Sequence, residues 1–184
     1  MSRRHAHVVH LDEVEPVDNP HGKFAPRERY LAEAAGGHQL GCSFVELPPG
    51  AAAWPFHCHY ANEEAIYVLS GTGTARIGDA RIAIAAGDYL ALPAGQGTAH
   101  QTINTGTEPL RYLCCSTMVP TDVIGYPDSG KLGLSASEAA ARRFAAPGAP
   151  RQLSRATASP TGMERTDDPP ASARRAPGRG RRRR

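Results

Sequence analysis

Between Ala65 and Met118, glycine and proline cut the sequence into short stretches. Ala65 to Ser70 ends at Gly71-Thr72-Gly73, Thr74 to Ile77 at Gly78-Asp79, and Arg81 to Ala85 at Ala86-Gly87-Asp88. Tyr89 to Leu92 ends at Pro93-Ala94-Gly95; Gln101 to Asn104 and Leu110 to Met118 are separated by Thr105-Gly106-Thr107. Stretches this short suit strands, and Gly-Asp between two of them signals a tight hairpin. Upstream, Gln39 to Leu47 reads as another strand, stopped by Pro48-Pro49-Gly50. Close, even spacing of such strands predicts an all-β sandwich or barrel.

The flanks read differently. Val8-Val9-His10-Leu11 suggests a first strand or arm, Pro16 to Gly22 a loop, and Arg29 to Ala35 a short helix stopped by Gly36-Gly37. Gly125 to Lys131 is rich in turn formers, and Ser137 to Phe144 has a fair N-cap followed by good helix formers. From Ala145 the chain is mostly Pro, Ala, Gly, Ser, Thr and Arg, which cannot offset its ordering entropy by burial. The expected organisation is an arm over 1–38, a barrel over 39–120, a loop and short helix over 121–144, and a disordered tail over 145–184.

Charge divides along the same line. Residues 1–150 carry 11 Lys plus Arg against 15 Asp plus Glu, a net of −4, and residues 151–184 carry 10 Arg against 3 acidic residues, a net of +7. The basic tail has no interleaved aromatics and no reader motif, so it predicts a solvated segment rather than a nucleic-acid partner. No apolar stretch approaches the roughly 20 residues that span a bilayer. Met1 to Leu11 lacks the apolar core of a secretory signal. The four cysteines, Cys42, Cys58, Cys114 and Cys115, form no CxxC pair and are expected as reduced thiols of a cytoplasmic protein.

Candidate chemistry concentrates in His57-Cys58-His59-Tyr60-Ala61-Asn62-Glu63-Glu64. On a strand, residues i and i+2 share a face, so His57 and His59 converge while Cys58 points away. A carboxylate follows at Glu63 or Glu64. Two imidazoles and a carboxylate are the donors of a divalent-metal site that still needs another ligand. His100 supplies a candidate if its strand lies across a small barrel from His57 and His59; Asn104, four residues on, reads as a turn or supporting residue.

These residues fall into two spaced motifs: Gly50, His57, His59, Glu64 and Gly71, then Gly87, Pro93, Gly95, His100 and Asn104. In this the sequence resembles the cupin superfamily over roughly Leu40 to Met118. It carries one extra residue before His57 and two within Gln96-Gly97-Thr98-Ala99. The resemblance implies a double-stranded β-helix (jelly-roll) barrel, with His57, His59, Glu64 and His100 as ligands of a divalent Fe, Mn, Zn, Ni, Co or Cu ion. The six-residue gap to Gly71 selects Glu64 over Glu63. Asn62 to Leu69, Leu92 to Gly95, Ala99-His100-Gln101 and Tyr126 to Lys131 further resemble small bacterial single-domain cupins, of the quercetin-dioxygenase-like or sugar-phosphate-isomerase-like group.

The metal is expected inside the barrel behind Ile66, Val68 and Leu92, with a small-molecule ligand or substrate as partner and, by resemblance, a second copy in a homodimer. Two function classes stay open: a metal-dependent isomerase or dioxygenase acting on a small polar or sugar-like substrate, and a metal-bearing module that binds or senses a ligand without turnover. Tyr67, Tyr89 and Tyr112 are expected to pack. The Tyr126 to Lys131 segment reads as a surface turn, or as a loop presenting Ser129 and Lys131 to an anionic group.

Overall fold

The computed structural model describes residues 5–95 and 99–136. The expected helix over Ser137 to Phe144, the Arg-rich tail and Gln96-Gly97-Thr98 lie outside the described residues. The strands are β1 (Val17–Asp18), β2 (Arg27–Tyr30), β3 (Leu40–Leu47), β4 (Cys58–His59), β5 (Glu64–Ser70), β6 (Thr72–Ile77), β7 (Ala80–Ala85), β8 (Tyr89–Leu92), β9 (His100–Ile103), β10 (Leu110–Thr117), β11 (Thr121–Tyr126) and β12 (Lys131–Ala136). They build a six-stranded sheet in the order β1-β2-β3-β10-β5-β8 and two three-stranded sheets, β12-β11-β4 and β7-β6-β9. A bridge between His57 and His100 joins the two smaller sheets into a second layer. All named strand pairs are antiparallel, and the layers form the jelly-roll sandwich.

The core lies between the layers, and strand alternation fills it. On β5, Ile66 and Val68 point inward and are buried, while Tyr67 and Leu69 face solvent. Val45 and Leu47 of β3, Leu110 and Tyr112 of β10 and Leu92 of β8 join them in one cluster with Ala75 and Ile84 of the second layer. Tyr112 therefore packs as expected, whereas Tyr89 is 68% exposed.

Two motif positions explain the turns. Gly71 has φ +83°, and a Cβ there would stand 2.6 Å from the Pro109 carbonyl oxygen. An L side chain is excluded on both counts. Asn104 is fully buried. Its Nδ2 donates to the carbonyls of Leu47 (2.7 Å) and Glu108 (2.9 Å), and its Oδ1 accepts from the Gly106 N–H at 2.9 Å. It ties the end of β3 to the β9–β10 turn, which is the turn role expected of it.

The flanks depart from expectation. Val8 makes only an isolated bridge to His5, and a 3-10 turn follows at Leu11–Glu13. Arg29 and Tyr30 belong to β2, not to a helix, because Arg27–Tyr30 pairs with β3 in the register Glu28↔Val45 and Tyr30↔Ser43. Pairing with that strand overrides local helix preference. The helix α1 shrinks to Leu31–Ala34 and ends, as expected, at Gly36-Gly37, where the Gly37 N–H donates to the Ala32 carbonyl. Residues 121–136, expected as loop, instead form the β11–β12 hairpin around a 3-10 turn at Pro127–Ser129. Arg76 clamps that turn: its guanidinium makes a two-point contact with Asp128 at 2.6 and 2.9 Å and lies 3.5 Å above the Phe56 ring centroid.

Replacing Asn104 by alanine removes the side-chain partner of three backbone groups, of which the Leu47 carbonyl is buried and the other two part-buried. Urea denaturation of Asn104→Ala should show a loss of about 3 kcal/mol. A loss under about 1 kcal/mol would contradict the turn role.

Candidate metal centre

His57 and His59 lie at the seam of the second layer. His57 N–H donates to the His100 carbonyl (3.1 Å) and His100 N–H to the His57 carbonyl (2.7 Å), so the two residues sit directly opposite. The Gly95 N–H holds the His59 carbonyl at 2.7 Å, which fastens the second motif to the first. Glu64 opens β5 in the facing sheet and projects to the same side as Ile66 and Val68. Cys58 points the other way, buried against Phe56 and Ala99, as strand parity requires.

The donor atoms of His57, His59 and Glu64 all fall within 4.8 Å of one another. His100 reaches the group through Glu64: its Nε2 lies 3.1 Å from Glu64 Oε2, and His59 Nε2 lies 3.6 Å from the same oxygen. Two ligands held about 2.1 Å from one ion at right angles are about 3.0 Å apart, so these spacings suit a shared cation. Imidazole and carboxylate are donors that divalent transition metals accept. The residues present therefore fit a metal and could hold one. Glu63, the alternative carboxylate, has its backbone N–H bonded to Thr117 Oγ1 and is absent from this cluster.

The outer nitrogens are also fixed. His57 Nδ1 is 2.8 Å from the Pro55 carbonyl oxygen, so that nitrogen carries the proton and Nε2 presents its lone pair. His59 Nδ1 is 2.6 Å from Asp122 Oδ2. Asp122, 2% exposed, also accepts from the Tyr60 and Ala61 N–H groups through Oδ1 and from Asn62 Nδ2 through Oδ2. Burial opposes its charge, but these bonds, that of His59 foremost, hold the carboxyl below the usual carboxylate range. Burial likewise opposes the charge of Glu64, and the His100 hydrogen bond with the surrounding imidazoles outweighs it, so its pKa also falls. Burial, then the neighbouring His100, pushes His57 down to about 4. That imidazole is neutral at pH 7, the form that binds a metal.

The four side chains open into a cavity of about 720 Å³, whose wall includes Trp54, Ile66 and Tyr126. The Tyr126 ring stacks near His57, with centroids 6.2 Å apart. Ile66 walls the cavity as expected, while Val68 and Leu92 belong to the packed core behind it. Ser129 and Lys131 do not line it; Lys131 is exposed at the start of β12. Of the two readings of that loop, the surface turn is the one these residues fit, with Asp128 anchoring it to Arg76. Sequence reasoning misses Asp122 and Ile124, because β11 reads as loop, and it names Tyr126 only as the start of a turn. The β-branched pair Val123-Ile124 and the alternating Leu132 and Leu134 were the available signals. Tyr30, also in the wall, is hidden by the helix reading of Arg29 to Ala35, and Glu28, just before it, carries no local signal.

The cysteines are free thiols, with Cys42 and Cys115 opposite each other and their sulfurs 3.7 Å apart. No helix among the described residues is long and apolar enough to cross a membrane.

Residues 43–116 match the family model of the cupin domain. Among solved structures, the chain is similar to a candidate sugar phosphate isomerase of Acidithiobacillus ferrooxidans, at 29% identity and TM-score 0.64 over 67% of this chain and 81% of that one. It is also similar to a cupin-superfamily sugar phosphate isomerase of Silicibacter pomeroyi, at 26% identity and TM-score 0.66 over 71% and 87%. A stretch of 60 residues, 33% of this chain, is 37% identical to the uncharacterized protein MJ1618 of Methanocaldococcus jannaschii and spans 46% of that relative. Residues 43–116, with the two facing sheets and the His/Glu cluster around them, make up a small cupin domain.

In the metal-free protein, His57 binds its proton near pH 4 when folded and near 6.5 when unfolded. Between those values the unfolded chain holds more protons, so stability is full above 6.5 and falls as pH drops towards 4. The loss is about 3 kcal/mol in all. The depressed Glu64 and Asp122 extend the loss to lower pH. Denaturation of metal-free protein across pH 4 to 7 should show this slope, and His57→Gln should remove its upper part; an unchanged slope would contradict the assignment.

Proposed function

We propose that the protein is a metal-dependent enzyme in which His57, His59, Glu64 and His100 hold a divalent transition-metal ion and a small hydroxyl-bearing substrate binds beside them. The observation that carries this reading is the convergence of those four side chains on one largely apolar cavity. Lewis acidity at a substrate oxygen is the chemistry that a divalent ion supplies when bound there. The chain's own residues do the rest. Pro55 and Asp122 hold the His57 and His59 rings in the tautomer that points Nε2 inward. Ile66 and Trp54 limit water, and Tyr126 offers a flat face to the substrate.

Isomerisation is the reaction class favoured, because the similar Silicibacter pomeroyi protein carries that name. A dioxygenase is the alternative within the same site. Activity that survives without oxygen supports the isomerase; oxygen uptake coupled to substrate loss supports the oxygenase.

Elemental analysis tests the centre itself. Wild-type protein should carry close to one metal ion per chain, and His59→Ala and His100→Ala should carry far less. Asp122→Asn should keep the fold and lower metal affinity about 10- to 100-fold by loosening His59. Equal metal content in wild type and His59→Ala would refute the reading.

A further inference from the structure

The charge of the cavity wall narrows the substrate. Among the described residues, the lining holds three carboxylates, Glu28, Glu33 and Glu64, and no lysine or arginine. Glu28 is 7% exposed and faces inward from β2, accepting a hydrogen bond from the Tyr30 hydroxyl at 3.1 Å. Glu33 occupies the first turn of the four-residue helix α1, so that helix end offers no anion site. Burial first, then neighbouring groups that include the carboxylates of Glu28 and Glu64, push up both the Tyr112 hydroxyl and the Cys114 thiol. A divalent ion would balance two of the three carboxylates and leave one over.

The described lysines and arginines lie outside this wall. Arg76 binds Asp128, Arg111 binds Glu46, and Arg27 lies 3.6 Å from Asp18. Arg29 donates to the carbonyls of Leu11 and Val14. Lys23 sits over the Phe24 ring, and Lys23 and Arg81 add to the field that lowers Asp128. Lys131 is exposed on β12. Phosphoryl groups are held by guanidinium forks, ammonium groups or helix N-termini, and the described wall provides none of these. What it provides is carboxylate acceptors for hydroxyl donors and the aromatic faces of Trp54, Tyr30 and Tyr126.

We infer that the cavity takes an uncharged, unphosphorylated hydroxy compound, with one oxygen at the metal centre and further hydroxyls donating to Glu28. This rests on the metal-centre reading above and sets the protein apart in substrate class from the sugar phosphate isomerases it is similar to. Glu28 and Glu33 are selectivity residues: they admit hydroxyl donors and turn anions away.

The test is calorimetric titration of the metal-loaded full chain with matched pairs, fructose against fructose 6-phosphate and ribose against ribose 5-phosphate, with inorganic phosphate as the simplest anion. The neutral member of at least one pair should bind about tenfold or more tighter than its phosphate ester. Glu28→Gln should narrow that ratio at least about threefold by improving phosphate binding. Glu33→Gln, on the exposed helix, should act in the same direction and guards against a folding defect in the first variant. Tighter binding of the phosphate esters, or ratios unmoved by both variants, overturns the inference. Failure of every probe to bind protein that carries its metal also overturns it and leaves the metal centre standing. Protein that takes up no metal brings down the proposed function, and this inference with it.

Discussion

The site depends on one short antiparallel bridge, the reciprocal pair of backbone hydrogen bonds between His57 and His100. It joins the two small sheets into one layer and sets two imidazoles side by side, with ring centroids 4.6 Å apart. A slip of one residue here would turn His57 and His59 outward and Cys58 inward, since side chains alternate along a strand. Register and chemistry are thus one constraint. Gly95 reinforces it by holding the His59 carbonyl, and Asn104 does so by fixing the turn that follows β9.

Around that bridge the fold brings its two layers to bear on a common point. The six-stranded sheet contributes Glu64 from the start of β5, and the second layer contributes the three histidines. The β11 strand then closes one side, and with it comes Asp122, whose carboxylate holds the His59 ring from behind. The first-motif histidines each have their outer nitrogen occupied, one by a backbone carbonyl and one by a carboxylate. Such arrangements raise ligand basicity and fix ring orientation. The same cavity extends under the arm, where β2 adds Glu28 and Tyr30.

Much of this was legible in the sequence, and the reason is local. From Leu40 to Thr117 every strand break but that between β4 and β5 contains a glycine or proline, and backbone geometry dictates the role of some, such as Gly71 with its positive φ. Histidines two apart on a strand share a face whatever the rest of the chain does. The flanks were not legible, because their structure depends on partners distant in sequence. Arg27–Tyr30 becomes a strand by pairing with β3, and Thr121–Tyr126 by lying between β4 and β12. Asp122 therefore escaped notice: nothing near it in sequence announces that it will meet a residue 63 positions away.

The central claim is that three imidazoles and one carboxylate share an ion. X-ray absorption at the metal edge of the loaded protein measures this most directly. The account predicts a first shell of nitrogen and oxygen at about 2.0–2.2 Å, with outer-shell scattering from three imidazoles. Sulfur at about 2.3 Å, or scattering from a single imidazole, would contradict it.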